Sequence, residues 1–65
     1  MEEYKIEYNK LLTRYYNGCN YISEHKNETD FYLDELFKIR SKLCKITAEH
    51  PEMTTDEILN GFKEG

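Results

Sequence analysis

The hydrophobic pattern of Phe31–Ala48 predicts a helix with more apolar surface than an ordinary surface helix carries. At about 100° per residue, its apolar positions form two adjacent ridges that span roughly 200° of the circumference, against ~100° for a helix with one buried face. The first ridge comprises Tyr32, Leu36, Ile39, Leu43 and Ile46, and the second comprises Leu33, Phe37, Cys44 and Ala48. Each ridge needs another segment to bury it, and we expect the two flanking segments to bury the two ridges only in part.

The segment Glu3–Lys26 has the pattern of one long amphipathic helix. Asn17-Gly18 alone would indicate a turn or a helix end, but the apolar stripe keeps its phase across this pair. We therefore predict one helix, with a break or kink at Gly18 as the alternative. Gly18 lies at the edge of the stripe, where a missing side chain would permit close helix approach. The stripe comprises Tyr4, Tyr8, Leu11, Leu12, Tyr15, Cys19 and Ile22.

The connection from Lys26 to Asp30 is short, so the first two helices should be antiparallel neighbours. The second helix is expected to span 29–49, because His50 precedes Pro51 and the residue before a proline avoids the α region. Thr54 and Glu57 then fit a capping box that opens a third helix, predicted over 55–63. Its inner face would consist of Ile58, Leu59 and Phe62, docked on the second ridge.

These elements predict an all-α fold, a long antiparallel helical hairpin with a short third helix, in a single domain over 1–65. A chain of 65 residues rarely retains more than ~3–5 kcal/mol of net stability. Its interior is too small for an enclosed substrate pocket. A small core with a second apolar ridge favours association, for example of two copies into a four-helix bundle with two appended helices.

Charge and hydropathy narrow the classes of partner. Nine Lys and Arg against thirteen Asp and Glu give a net charge of −4, which disfavours nucleic acid as the main partner because phosphate binding needs clustered positive charge. No apolar run approaches the ~18 residues of a membrane span. The acidic start has no signal-peptide pattern, so we expect a cytoplasmic protein with reduced thiols.

Cysteine and histidine recur at the same spacing in Cys19–His25 and Cys44–His50. Helix duplication and chance both explain this. A metal site is disfavoured because residues six apart on a helix point roughly 240° apart, and zinc-finger spacings are absent. The two cysteines, offset by roughly 10 Å along the hairpin, should remain free thiols. We expect both to be small core residues and both histidines to lie at helix ends.

No catalytic motif is present, and we expect neither an enzyme nor a cofactor. The leading hypothesis is a small protein–protein interaction module that presents an apolar helix face to a second copy or to a larger protein, whose activity it could regulate. For each candidate contact residue, ordinary core packing or incidental surface exposure is the alternative. The candidates are Tyr4, Tyr8, Tyr16, Phe31, Tyr32, Arg40 and Phe62.

The alternative function is a nucleic-acid-associated accessory protein. It would use a short basic stripe on the second helix together with nearby arginines and tyrosines. Steep salt dependence of binding would favour this alternative, whereas insensitivity to salt would favour apolar docking. The basic residues concerned are Lys38, Lys42 and Lys45, with Arg14 and Arg40.

Overall fold

A computed structural model describes residues 2–63, apart from the side chains of residues 28 and 29. Three α-helices make up the fold: α1 (Glu3–Glu24), α2 (Thr29–Glu49) and α3 (Thr55–Asn60), with a 3-10 turn at Lys26–Glu28 between the first two. The described part of the chain contains no strand. The predicted architecture, a helical hairpin followed by a short third helix, is confirmed.

Helix α1 runs without interruption through Gly18, as the phase of its stripe predicted. A Cβ atom at Gly18 would lie 2.6 Å from Cδ2 of Leu36 on α2, so the missing side chain does allow the two helices to approach closely. The helix ends at Glu24, two residues before the predicted end. His25 leaves the helical conformation with φ −125° and ψ 65° while its N–H still bonds to the Tyr21 carbonyl.

The first ridge of α2 faces α1 and supplies its share of the core. Leu36, Ile39 and Leu43 are each less than one-tenth exposed. Tyr4, Tyr15 and Ile46 pack at the edge of the same cluster. Helix α2 spans the residues that the sequence predicts. The buried cluster comprises Tyr8, Leu11, Leu12, Ile39, Leu43, Met53 and Phe62.

Helix α3 opens with the predicted capping box. The Glu57 N–H donates to Oγ1 of Thr54 at 3.2 Å, and the Thr54 N–H donates to Oε1 of Glu57 at 2.8 Å. The predicted end at residue 63 is wrong, because the helix stops at Asn60 and Gly61 turns the chain with φ 83°. This turn brings the backbone of Phe62 back to α1.

The amide side chain of Asn9 on α1 binds the backbone of Phe62 through two hydrogen bonds. The Phe62 N–H donates to Oδ1 of Asn9 at 2.7 Å, and Nδ2 of Asn9 donates to the Phe62 carbonyl at 2.9 Å. Asn9 therefore satisfies both backbone polar groups of Phe62 at the edge of the core, where unpaired groups are costly. These bonds hold the Phe62 ring among the core residues.

The predicted docking of α3 on the second ridge of α2 is also wrong. Helix α3 lies against α1, where the Tyr8 hydroxyl donates to the Ile58 carbonyl at 2.7 Å and the Tyr16 hydroxyl donates to the Leu59 carbonyl at 2.6 Å. The last carbonyls of a helix lack helical partners, and the two tyrosines supply donors for them. Consequently the Ile58 and Leu59 side chains, predicted to face inward, are 38% and 54% exposed.

Tyr8 makes the stability of the fold sensitive to alkaline pH. Burial raises the pKa of its phenol above 10.0, with smaller contributions from Tyr16 and Cys44. Because folding favours the neutral phenol, this stability is fully present below pH 10.0 and is lost as the pH rises through the folded-state pKa. We expect Tyr8→Phe to cost ~1 kcal/mol at neutral pH and to flatten the loss of stability at high pH. Urea unfolding between neutral pH and pH ~11 would measure both effects.

An equally steep alkaline loss in Tyr8→Phe would contradict this assignment. Tyr16→Phe is the matched control, since it also removes a bond to a carbonyl of α3 but at a 44% exposed side chain. We expect this control to retain most of the alkaline pH dependence, because burial of Tyr8 is a larger cause of its raised pKa than Tyr16 is.

Candidate docking surface

The second ridge of α2 faces solvent. Phe37 is 60% exposed and Leu33 is 40% exposed, and Cys44 and Ala48 are exposed as well. From Leu33 to Ala48 the ridge extends over about 22 Å at 1.5 Å per residue. A large aromatic residue in an apolar row on one helix is a feature of surfaces that bind other proteins.

An apolar groove of about 230 Å³ lies beside this ridge, between α1 and α2. The Leu36 side chain, which packs close to Gly18 of α1, is one of the residues that line the groove. Arg40 is the one charged residue among the lining residues. We refer to the ridge and the groove together as the docking surface. The groove is lined by Tyr15, Cys19, Ile22, Leu33, Leu36, Phe37 and Arg40.

The charged residues beside the docking surface are acidic on the N-terminal side of Phe37 and basic on its C-terminal side. Asp30 and Asp34 precede Phe37, and Lys38 and Lys45 follow it. All four are exposed. Lys38 also lies one turn from Glu35, with 3.9 Å between Nζ and Oε1, and both side chains are largely in water. Such a pair contributes little to stability, so Lys38 remains available to a partner.

Two of the candidate contact residues belong to the core. Tyr8 is 1% exposed and Phe62 is 9% exposed, and their rings meet edge to face with centroids 5.9 Å apart. They cannot contribute to an exposed docking surface while the domain is folded. Both lie in the core rather than on the docking surface, because the chain returns at Gly61 and buries Phe62 against α1.

Tyr4 also has a structural partner. Its ring stacks on the His50 imidazole with centroids 3.6 Å apart, so it links the start of α1 to the end of α2. Nδ1 of His50 lies 3.0 Å from Oε1 of Glu52. A hydrogen bond from its own backbone N–H and the His50 contact lower the pKa of Glu52. Burial and nearby carboxylates, chiefly that of Glu2, raise the pKa of Tyr4.

The remaining aromatic candidates lie away from the groove. Phe31 is 71% exposed and meets Tyr32 edge to face at 5.3 Å, and Tyr32 in turn packs on Tyr21 at 4.5 Å. This group is at the hairpin end, whereas Tyr16 lies beside α3. Of the seven candidates, Arg40 alone lines the docking surface. The residues missed were Leu33 and Phe37, since the sequence interpretation assigned their ridge to α3.

Cysteine and histidine form no common site. Both thiols are free, and Cys44 is exposed on the second ridge, which corrects the expectation that both cysteines are core residues. His25 and His50 directly follow α1 and α2, as predicted. Among residues 2–63 no group of three or more His, Cys, Asp and Glu side chains is placed to hold a metal ion.

The basic stripe lies on the same helix, outside the groove. Lys38, Lys42 and Lys45 are all exposed, and Lys38 has the carboxylate of Glu35 beside it. A neighbouring acid lowers the positive potential that phosphate binding requires.

No helix in the described part of the chain is long and apolar enough to cross a membrane.

Comparison with known protein families, curated proteins and solved structures finds no match to this chain.

Proposed function

We propose that the chain is a non-enzymatic protein-interaction module that binds another protein through the docking surface of α2. The observation that carries this proposal is the exposure of Leu33 and Phe37 on a ridge that neither α1 nor α3 covers. Exposed apolar surface that is continuous along one helix is typical of sites that bind another protein. Binding a partner would remove that surface from water.

The expected mode is the packing of a partner helix along α2. Fully burying a Phe or Leu side chain contributes about 1.5–3 kcal/mol, and both are already partly buried here. The ridge is one helix wide, so it fits an amphipathic helix whose apolar residues repeat every three or four positions. The stem of Arg40 would cover apolar surface at the edge of the groove while its guanidinium stays in water.

Photo-crosslinking in the native cells tests this proposal. Phe37 would be replaced by a photoreactive benzoylphenylalanine, and the same replacement at Phe31 would serve as the control because that ring is exposed but lies outside the docking surface. We expect discrete protein adducts from position 37 and much less adduct from position 31. Equal or absent adducts at the two positions would contradict the proposal.

Salt dependence separates this proposal from the nucleic-acid alternative. Apolar docking should weaken little between low and moderate salt, whereas phosphate contacts lose affinity steeply. Adducts that disappear after nuclease treatment would assign the surface to a nucleic-acid complex.

A further inference from the structure

The charges beside the docking surface change sign at Phe37. Asp34 lies three residues before Phe37 and Lys38 lies one residue after it, while Asp30 lies seven before and Lys45 eight after. Measured from Phe37, the outer acidic and basic residues are matched to within one position and the inner ones to within two. A helix that carries such a pattern is complementary to its own copy in the reverse direction.

We propose that the docking surface binds a second copy of this chain, with the two α2 helices antiparallel and the two Phe37 rings at the twofold axis. The inference rests on the proposed function and names the partner. In an antiparallel pair centred at Phe37, residue 37 − n of one copy lies level with residue 37 + n of the other. Parallel pairing would instead place acid beside acid and lysine beside lysine.

The pairing places opposite charges within reach on one flank of the seam. At about 100° per residue, Asp34 and Lys38 lie roughly 60° and 100° from Phe37 in the same sense, and Lys45 lies at roughly 80°. The twofold axis places each flank of one α2 helix opposite the same flank of the second copy. Asp34 therefore meets Lys38 of the second copy with an axial offset of about 3 Å, and Asp30 meets Lys45 of the second copy.

The apolar contacts of the pair follow from the same geometry. Phe37 packs on Phe37 of the second copy. Each Leu33, which lines the groove of its own copy, lies level with Ser41 of the other copy. The two Arg40 side chains lie about 9 Å apart along the axis, close to the Debye length at physiological salt, so their repulsion is weak. The ridge is narrow, and we expect dimerisation at tens of micromolar rather than at nanomolar concentration.

Charge reversal tests the pairing in solution. Asp34→Lys places lysine against Lys38 of the second copy at both symmetric contacts, and Lys38→Asp places acid against acid. Each variant alone should dimerise about tenfold more weakly than the unsubstituted chain. An equimolar mixture of the two should form a heterodimer, because every cross-contact is then attractive. Analytical ultracentrifugation at tens of micromolar would measure all three samples.

Disulfide trapping tests the direction of the pair. In a Cys19→Ala background, two Cys44 residues of an antiparallel dimer are about 21 Å apart along the axis and cannot form a bridge. Adding Asp30→Cys should give a covalent dimer, since position 30 lies level with Cys44 of the second copy. Phe31→Cys is the matched control, because position 31 points away from the seam. Positions 30 and 44 of one chain are too far apart along α2 to bridge within it.

The outcomes separate this inference from the proposed function. A monomer at all concentrations, or a dimer trapped through Cys44 alone, would overturn the antiparallel dimer. Adducts of benzoylphenylalanine at position 37 with a different protein would overturn the dimer and still support the interaction module. An adduct of twice the chain mass, with trapping through position 30 but not 31, would support both.

Discussion

Phe62→Ala should unfold the domain. Truncating a buried Phe costs about 3–5 kcal/mol, which equals the ~3–5 kcal/mol that a core of this size retains. The ring is 9% exposed and meets Tyr4 and Tyr8 edge to face, with centroids 5.7 and 5.9 Å away. Far-UV circular dichroism at 25 °C should show a loss of helix rather than a shifted cooperative transition, because α1 and α2 lose the element that seals their common end.

Leu59→Ala is the matched control for this prediction. Leu59 also belongs to the C-terminal segment, but its side chain is 54% exposed and its interaction with α1 runs through the backbone carbonyl, which alanine keeps. We expect a change within about 0.5 kcal/mol, as for most exposed positions. If both variants lost the same stability, the placement of Phe62 in the core and of Leu59 at the surface would be wrong.

Gly61→Ala should destabilise the fold more than Gly18→Ala does. Gly61 has φ 83° and ψ 179°, a region that only glycine occupies readily, and the backbone cost for alanine is about 1–3 kcal/mol. The added Cβ would also lie 2.6 Å from Oδ1 of Asn9, the atom that accepts the Phe62 N–H. The substitution therefore strains the turn and displaces the amide that holds Phe62. Urea unfolding would report the loss as a lower midpoint.

Gly18→Ala provides the comparison. Its Cβ would also lie 2.6 Å from a neighbour, but that neighbour is the end of the Leu36 side chain, which can rotate toward the groove. Alanine in a helix interior gains about 1 kcal/mol over glycine, so gain and clash should nearly cancel. A Gly18→Ala variant as unstable as Gly61→Ala would show that helix spacing, rather than the turn, limits the fold.

The candidate site could be predicted in part. The two ridges of α2 were evident from periodicity, and the exposed one contains Leu33 and Phe37. The choice of individual contact residues depended on tyrosine and exposed-aromatic chemistry, and of the seven residues chosen only Arg40 lines the docking surface. The hydroxyls of Tyr8 and Tyr16 donate to carbonyls of α3, so a residue type that is typical of interfaces here joins two helices of the same chain. Composition does not distinguish these two uses.

The positions of the helices follow from local features of the sequence. Periodicity, the proline after His50 and the Thr54 capping box are local signals, and they suffice for α2, for the start of α3 and for α1 to within two residues of its end. Which ridge of α2 stays exposed depends on tertiary packing. That outcome depends on hydrogen bonds from Tyr8 and Asn9 to backbone 50 and 53 residues away, and no periodic pattern records such pairings. Because these bonds draw α3 and Phe62 onto α1, the second ridge of α2 is left to solvent.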